Sequence, residues 1–423
     1  MRLMRLGNGG RPARSRILAS AAAALLLAAT AACSDGGGGG SAPKAPTLAG
    51  TPIKVGLFNP DTGATALLGV KAGTDAGVRY VASELGGIGG HPIEVDSCSV
   101  DGTPEKTIAC ANKFVQDRVV AAFDGFNYSS SAGIDILQAA GIPLVGQIPF
   151  DQATGSTGAG RVFFAAPQAS FLVGALQGFK AEGKASATLT LVDTPAAHKT
   201  VDTELKPLSQ LLGIQATGLY FSATNPNFSA VASTIASTKP DVAGLIASPS
   251  ESVCTQLVKN LRSVGYQGDI FVAACTSFIK ADPAAAVGAA LYSSVWLPGS
   301  EQYAPPGVAD QLRTAGKYLN DAGGPADYYG YGQFATVVDF AKGLSAAPSL
   351  DNLTGATVLS TLQATKGAPS FLGPDITCGK ATTPNCTTQM LLFTVQKDLT
   401  LKPVTGTWIT PAPAIMATIP GAS

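Results

Sequence analysis

Short apolar runs alternate along this chain with longer stretches whose apolar residues recur at helical spacing, and the whole alternation occurs twice. The first series reads as strand 53–58, helix 66–85, strand 93–98, helix 103–117, strand 119–123, helix 130–140 and strand 143–145. Gly86, Gly87, Gly89 and Gly90 close its first helix, because glycine accepts the left-handed conformation that ends a helix. After 162–166 the series restarts with helix 168–182, strand 187–192, helix 199–212, strand 214–220, helix 227–237, strand 242–247, helix 250–264 and strand 270–273. Strands joined by helical crossovers run parallel, and a parallel sheet needs helices on both faces. The expected fold is therefore α/β with two lobes, each a mostly parallel sheet flanked by helices. Helices near 308–319 and 332–344 return without a full new set of strands, so they are expected to complete the earlier lobe. The expected crossings fall near residues 166, 297 and 370. The N-terminal lobe is then 51–166 plus 297–370, and the C-terminal lobe 167–296 plus 371–423.

A leader precedes this pattern. Arg2, Arg5, Arg11, Arg14 and Arg16 stand before an apolar run that ends at Thr30-Ala31-Ala32-Cys33 and opens into glycines 36–40. The arrangement resembles the export signal of a bacterial lipoprotein. That resemblance implies a signal peptide over 1–32, acylation of Cys33, a flexible tether over 33–50, and a protein lipid-anchored to the outer face of the cytoplasmic membrane. An ordinary secretory signal cut after Ala29 or Ala32 is the alternative. A membrane-spanning anchor is disfavoured, since the apolar run falls short of the ~20 residues a bilayer span needs.

The length of 423 residues exceeds one ordinary core and suggests two domains. Charged residues make up only 13% and the formal net charge is +0, so no surface here suits nucleic acid. The cysteines are Cys33, Cys98, Cys110, Cys254, Cys275, Cys378 and Cys386. Without the acylated Cys33 an even number remains for an oxidising compartment to pair. Several pairings are open, and clustering favours Cys98 with Cys110, Cys254 with Cys275 and Cys378 with Cys386. With no C-x-x-C unit and 2 histidines in the chain, no metal site and no cofactor are expected.

Four features occur in a telling order: Ile53-Lys54-Val55-Gly56 running into Pro60-Asp61-Thr62-Gly63; the helix exit Gly86-Gly87-Ile88-Gly89-Gly90-His91-Pro92-Ile93; Asp101-Gly102-Thr103-Pro104-Glu105-Lys106; and Ser129-Ser130-Ser131. Together they resemble the leucine/isoleucine/valine-binding family of solute receptors for ABC transporters, with the type I periplasmic-binding fold, over roughly residues 51–410. The resemblance implies two hinged lobes with three crossings, a small organic solute that is amino acid-like or carboxylate-bearing, an ABC permease as partner, a monomeric state and no enzymatic activity. It places Ser129 and Ser130 on a ligand carboxylate, Gln147, Ile148 and Phe150 on the neighbouring wall, Leu68 at a lid position, Tyr329 on the returning segment, and His198 and Thr276 in the second lobe.

The serine run supports this on its own chemistry. It lies past a strand's carboxyl end and at a helix start, where unpaired N–H groups and hydroxyls can hold an anion; simple helix capping is the alternative. The second lobe departs from the family pattern. Asp193-Thr194-Pro195-Ala196-Ala197-His198 lacks the family's tyrosine, and Cys275-Thr276-Ser277 lacks its acid. A buried ammonium group needs a nearby carboxylate, so free branched-chain amino acids are not expected as the preferred ligand unless Glu251 or Asp193 supplies one.

Other motifs carry less. Gly330-Tyr331-Gly332-Gln333-Phe334-Ala335 fits a loose dinucleotide fingerprint but follows no buried strand. The chain has no G-x-x-x-x-G-K-[ST] loop and no G-x-S-x-G elbow. Two alternative functions stay open at this level: a ligand sensor for a signalling partner, and an extracytoplasmic hydrolase using Ser129, Ser130 or Ser131 with His198 as base and Asp193 behind it. The leader makes one prediction. Cys33→Ser is expected to leave the mature protein unlipidated and released from membranes; a mature chain that begins upstream of Cys33 and carries no lipid contradicts the assignment.

Overall fold

A computed structural model describes residues 48–63, 66–222, 225–247 and 250–419. The leader, Cys33 and the tether up to residue 47 lie outside the described residues. The first sheet contains β1 (Ile53–Asn59), β2 (Ile93–Ser99), β3 (Ala121–Phe123), β4 (Leu144–Gly146) and β5 (Arg161–Phe163), in the order β2-β1-β3-β4-β5. All its pairings are parallel, and Val55 of β1 sits between Val95 and Ala121. Six of the seven residues of β1 are buried, as expected of a strand covered on both faces.

The second sheet contains β6 (Ser186–Val192), β7 (Gln215–Phe221), β8 (Val242–Leu245), β9 (Asp269–Val272), β10 (Ala289–Ser293), β11 (Leu391–Val395) and β12 (Leu401–Pro403). Their order is β12-β11-β10-β9-β8-β6-β7. β11 runs antiparallel to both β10 and β12. The sequence reading did not assign β10, β11 or β12. The helix expected over 199–212 is instead three pieces: a helix Pro195–Thr200, a wider π turn Val201–Leu205 and a helix Lys206–Leu212. Pro207 has no N–H to give to the preceding turn, which explains the local rewinding.

The returning helices Val308–Ala322 and Tyr328–Leu344 pack onto the first lobe, the latter along the helix Gly69–Glu84. Gly69, Gly73 and Gly77 recur every four residues and so share one face. A Cβ at Gly69 would collide with the Asp327 carboxylate, one at Gly73 with the Gly330 carbonyl, and one at Gly77 would lie 2.8 Å from Val337 Cβ. The missing side chains let the two backbones approach each other.

Beyond residue 370 the chain makes further contacts with the first lobe. Phe371 packs on Tyr80 and Phe334, at 5.5 and 5.3 Å between ring centroids. Asn385 Nδ2 donates to the Ala165 carbonyl at 2.7 Å, and the Cys386 N–H to the Phe163 carbonyl at 2.8 Å. Residues 371–386 thus lie along the first lobe, and the chain enters the second sheet at Leu391. No apolar pattern announces these polar contacts to the end of β5. The structure joins Cys98 to Cys110, Cys254 to Cys275 and Cys378 to Cys386, with Cα separations of 5.6, 6.4 and 4.2 Å.

The glycine face yields a stability prediction. Gly73→Val is expected to destabilise the protein by about 1–3 kcal/mol through overpacking, read from the denaturant midpoint. An unchanged midpoint would mean that the two helices tolerate separation.

Candidate functional site

The segment after β4 faces those after β6 and β8 across a common cavity, at the edge where parallel sheets present their loops. After β3 the chain turns sharply. Gly125 has φ +60°, and a Cβ there would collide with the Phe58 carbonyl. Phe126, which has a Cβ, holds φ 58° nonetheless. Its ring is fixed by Phe150, Tyr329 and Tyr328 at 5.4, 5.3 and 6.1 Å. A bulky residue keeps so strained a backbone only where its surroundings over-determine it. Tyr128 adds to the group against Phe150 at 5.0 Å, and Tyr328 packs on Tyr329 at 5.2 Å.

The serine run turns inward. Ser129 Oγ donates to the Thr103 carbonyl at 3.0 Å and pairs with Thr107 Oγ1 at 2.8 Å. Ser130 Oγ donates to the Asp124 carboxylate. The Ser131 N–H, at the start of the helix Ser131–Ala139, donates to Asp151 Oδ2 at 3.1 Å. Of the two serines expected to receive a ligand carboxylate, Ser130 already meets a carboxylate of the protein and Ser129 a backbone carbonyl. Asp124 is fully buried, and its Oδ2 has no protein partner. Burial, reinforced by the charge of Asp151, pushes its carboxyl up to about 8 despite the Ser130 hydrogen bond.

The remaining expected residues divide. Gln147 is buried and spans outward: its Nε2 donates to Ser294 Oγ at 3.3 Å and its Oε1 accepts from Thr336 at 2.9 Å. Ser294 in turn pairs with the Tyr328 hydroxyl at 3.0 Å. Ile148 is core. Phe150 and Tyr329 lie in the aromatic group, whereas Leu68 stands 56% exposed at the start of the helix Gly69–Glu84 and makes no part of it. Thr276 Oγ1 accepts the Tyr328 N–H at 3.2 Å, joining the two lobes. His198 is half-exposed; its Nε2 lies 2.8 Å from Asp193 Oδ1 and its ring stacks on Tyr220 at 3.9 Å. Among the described residues no hydrogen bond links His198 to Ser129, Ser130 or Ser131, so the nucleophile–base pair of the hydrolase reading is not assembled.

Glu251 supplies the carboxylate that Thr276 lacks. It accepts the Thr276 N–H at 3.1 Å and the Ser277 N–H at 3.0 Å. Burial pushes it up to about 7; these N–H groups oppose the shift and the charge of Asp327 adds to it. Asp327 accepts the Gly330 N–H at 2.9 Å and is pushed up to about 6, chiefly by burial. Asp327, Phe126, Tyr128 and Asp151 were not singled out from sequence; their closeness to the serine run and to Tyr329 was the available signal. Beside Phe150 lies a cavity of about 450 Å³, lined also by Phe171, Leu191, Ile246 and Tyr292, with Lys199 and Glu204 on its wall. Among the described residues no group of three or more His, Cys, Asp or Glu is placed to hold a metal. No helix among them is long and apolar enough to cross a membrane.

Comparison with known proteins agrees with this architecture. The profile of the family described as periplasmic binding protein matches residues 52–399. No curated protein matches the sequence. A leucine-binding protein from Thermotoga maritima superposes with a TM-score of 0.66 at 14% identity, covering 85% of this chain and 99% of its own. A fatty acid ABC transporter substrate-binding protein from Thermomonospora curvata superposes at 0.70 with 15% identity, covering 90% and 98%. A possible leucine/isoleucine/valine-binding protein from Rhodopirellula baltica gives 0.65 at 12%, covering 85% and 97%. At such identities the likeness is one of fold.

Asp124 sets a pH dependence. Its carboxyl keeps a proton in the folded protein up to about 8, whereas the unfolded chain releases it near 3.8. The folded state thus binds more protons between these values, and stability falls as pH rises through that window. Asp124→Asn is expected to remove this part of the decline, so that the difference in melting temperature, variant minus wild type, grows from pH 5 to pH 8. A difference that stays constant contradicts the assignment.

Proposed function

The chain belongs to the periplasmic binding protein family, and from that premise we propose that it is the extracytoplasmic receptor of an ABC importer, which captures a small organic solute between its lobes and presents it to a membrane permease. The observation that carries this reading is the cavity bounded by Phe150 of the first lobe and Leu191, Ile246 and Tyr292 of the second, together with the Thr276–Tyr328 and Gln147–Ser294 hydrogen bonds between the lobes. Contacts of this kind form only when the lobes are together, so a solute that touches both shifts an open–closed equilibrium toward the closed form. No bond is made or broken in the solute. Cys33 anchors the receptor, a monomer, by its lipid.

The solute is amino acid-like in size with an apolar or aromatic body. The lining of Phe150, Phe171, Leu191, Ile246 and Tyr292 supports this. So does the fact that solved neighbours named for leucine and for fatty acid both concern ligands with an apolar chain. A carboxylate resting on Ser129 and Ser130 is not favoured, because the Ser129 hydroxyl donates to the Thr103 carbonyl and the Ser130 hydroxyl to Asp124.

Any solute that raises the melting temperature in a screen of amino acids, amines, carboxylates, amides and polyols is expected to bind one per chain in calorimetry. Tyr329→Ala is expected to weaken that binding roughly tenfold or more. Cells lacking the receptor are expected to lose high-affinity uptake of the same solute; undiminished uptake contradicts the transport role.

A further inference from the structure

The cavity beside Phe150 takes its apolar lining from both lobes, but its cation from the second alone. Lys199, Thr200, Thr203 and Glu204 line it as two pairs one helical turn apart, the second pair within the π turn Val201–Leu205. A π turn set between helical pieces is frequently a working segment. Lys199 is the one lysine or arginine among the cavity's lining residues. Its side chain is exposed, and among the described residues its ammonium enters no hydrogen bond and no ion pair. Lys206 on the same stretch of chain is, by contrast, paired with Asp202 at 2.6 Å. Tyr292 adds a second open donor. Its ring stacks on Phe171 at 4.6 Å, and its hydroxyl has no hydrogen-bond partner among the described residues.

Two acids share the lining, and neither consumes the Lys199 donors. Asp151 has its oxygens taken: it accepts the Ser131 N–H at 3.1 Å, the Thr154 N–H at 2.8 Å and the Thr154 hydroxyl at 2.7 Å. Glu204 accepts no hydrogen bond, and burial pushes its carboxyl up against the opposing charge of Lys199. Lys199 and Glu204 thus feel each other without pairing. A carboxylate head beside Lys199 gains the ammonium and the Tyr292 hydroxyl as donors, and such charge-assisted bonds are the strong ones. An ammonium head would meet Lys199 as a like charge and Asp151 with its oxygens already engaged.

Resting on the receptor reading above, we infer that the second lobe carries a carboxylate subsite: Lys199 and the Tyr292 hydroxyl hold the head of an apolar monocarboxylate without an ammonium group, and its body lies against Phe150, Phe171, Leu191 and Ile246. The head then rests on the second lobe and the body reaches the first at Phe150, so the solute bridges the two. Matched probes test this at pH 7 by calorimetry and thermal shift. The acids are 4-methylpentanoate and 3-phenylpropanoate; their uncharged counterparts are 4-methylpentanamide and 3-phenylpropanamide; the amino acids with the same side groups are leucine and phenylalanine. At least one acid is expected to bind, and to bind at least tenfold more tightly than its amide and its amino acid. Lys199→Met, which keeps an unbranched stem, is expected to weaken acid binding roughly tenfold, with the melting temperature of the free protein within a few degrees. Lys199→Arg is expected to keep it within a few-fold. Glu204→Gln removes a neighbouring negative charge and is expected to leave acid binding equal or tighter. Acid binding that Lys199→Met does not change, a tenfold loss in Glu204→Gln, or an amide or amino acid bound as tightly as its acid each overturns the subsite and leaves the receptor reading standing, which cellular uptake tests by itself. A folded protein that binds none of the six probes overturns the inference as well.

Discussion

The cleft depends on the close approach of the helices Gly69–Glu84 and Tyr328–Leu344. Because Gly69 and Gly73 carry no side chain, the Asp327 carboxylate and the Gly330 carbonyl can sit against the first helix. That contact fixes the first turn of the second helix, and with it Tyr328 and Tyr329. One face of the helix supports the first lobe; its N-terminal turn furnishes the cleft. Local sequence, helix packing and site geometry are thus joined at three glycines. A side chain at any of them would push the returning segment outward and carry the aromatic group with it.

The lobes are joined by a small number of polar contacts. Tyr328 donates to Thr276, and Gln147 connects Thr336 to Ser294, which reaches the Tyr328 hydroxyl. Each such bond contributes on the order of 1 kcal/mol net. A latch of that size is comparable with the differential binding energy of a small solute, as the proposed receptor function requires. The buried carboxyl groups act against it. Glu251 and Asp327 are held above the ordinary carboxylate range by burial, and each loses hydration when the lobes meet.

Much of this was legible from residues alone, for physical reasons that also explain the gaps. The parallel strands β1 and β8 are buried almost throughout and read as apolar runs, whereas β6 alternates threonine with buried leucine. β11 is a five-residue run whose partner β10 lies about a hundred positions earlier, and nothing local separates such a run from a buried loop. The serine run was visible as a strand-to-helix junction. Its true partners were not, since Thr103, Thr107 and Asp151 arrive from other segments of the chain. The missing acid at Thr276 was readable, and Glu251, the first residue of the helix after β8, was among the residues able to replace it; only the folded chain brings the two together. Leu68, assigned to the cleft by resemblance, lies exposed because the glycine beside it, not the leucine, meets the returning segment.

The proposed receptor function requires lobes that open and close about the Thr276–Tyr328 contact. Spin labels at Glu105→Cys in the first lobe and Lys239→Cys in the second, both exposed positions, report the interlobe distance by pulsed electron resonance. In the otherwise native protein a short-distance population is expected, and Thr276→Val, which removes the hydroxyl acceptor, is expected to transfer part of it to a longer distance. A single distance, identical in both proteins, would contradict the account.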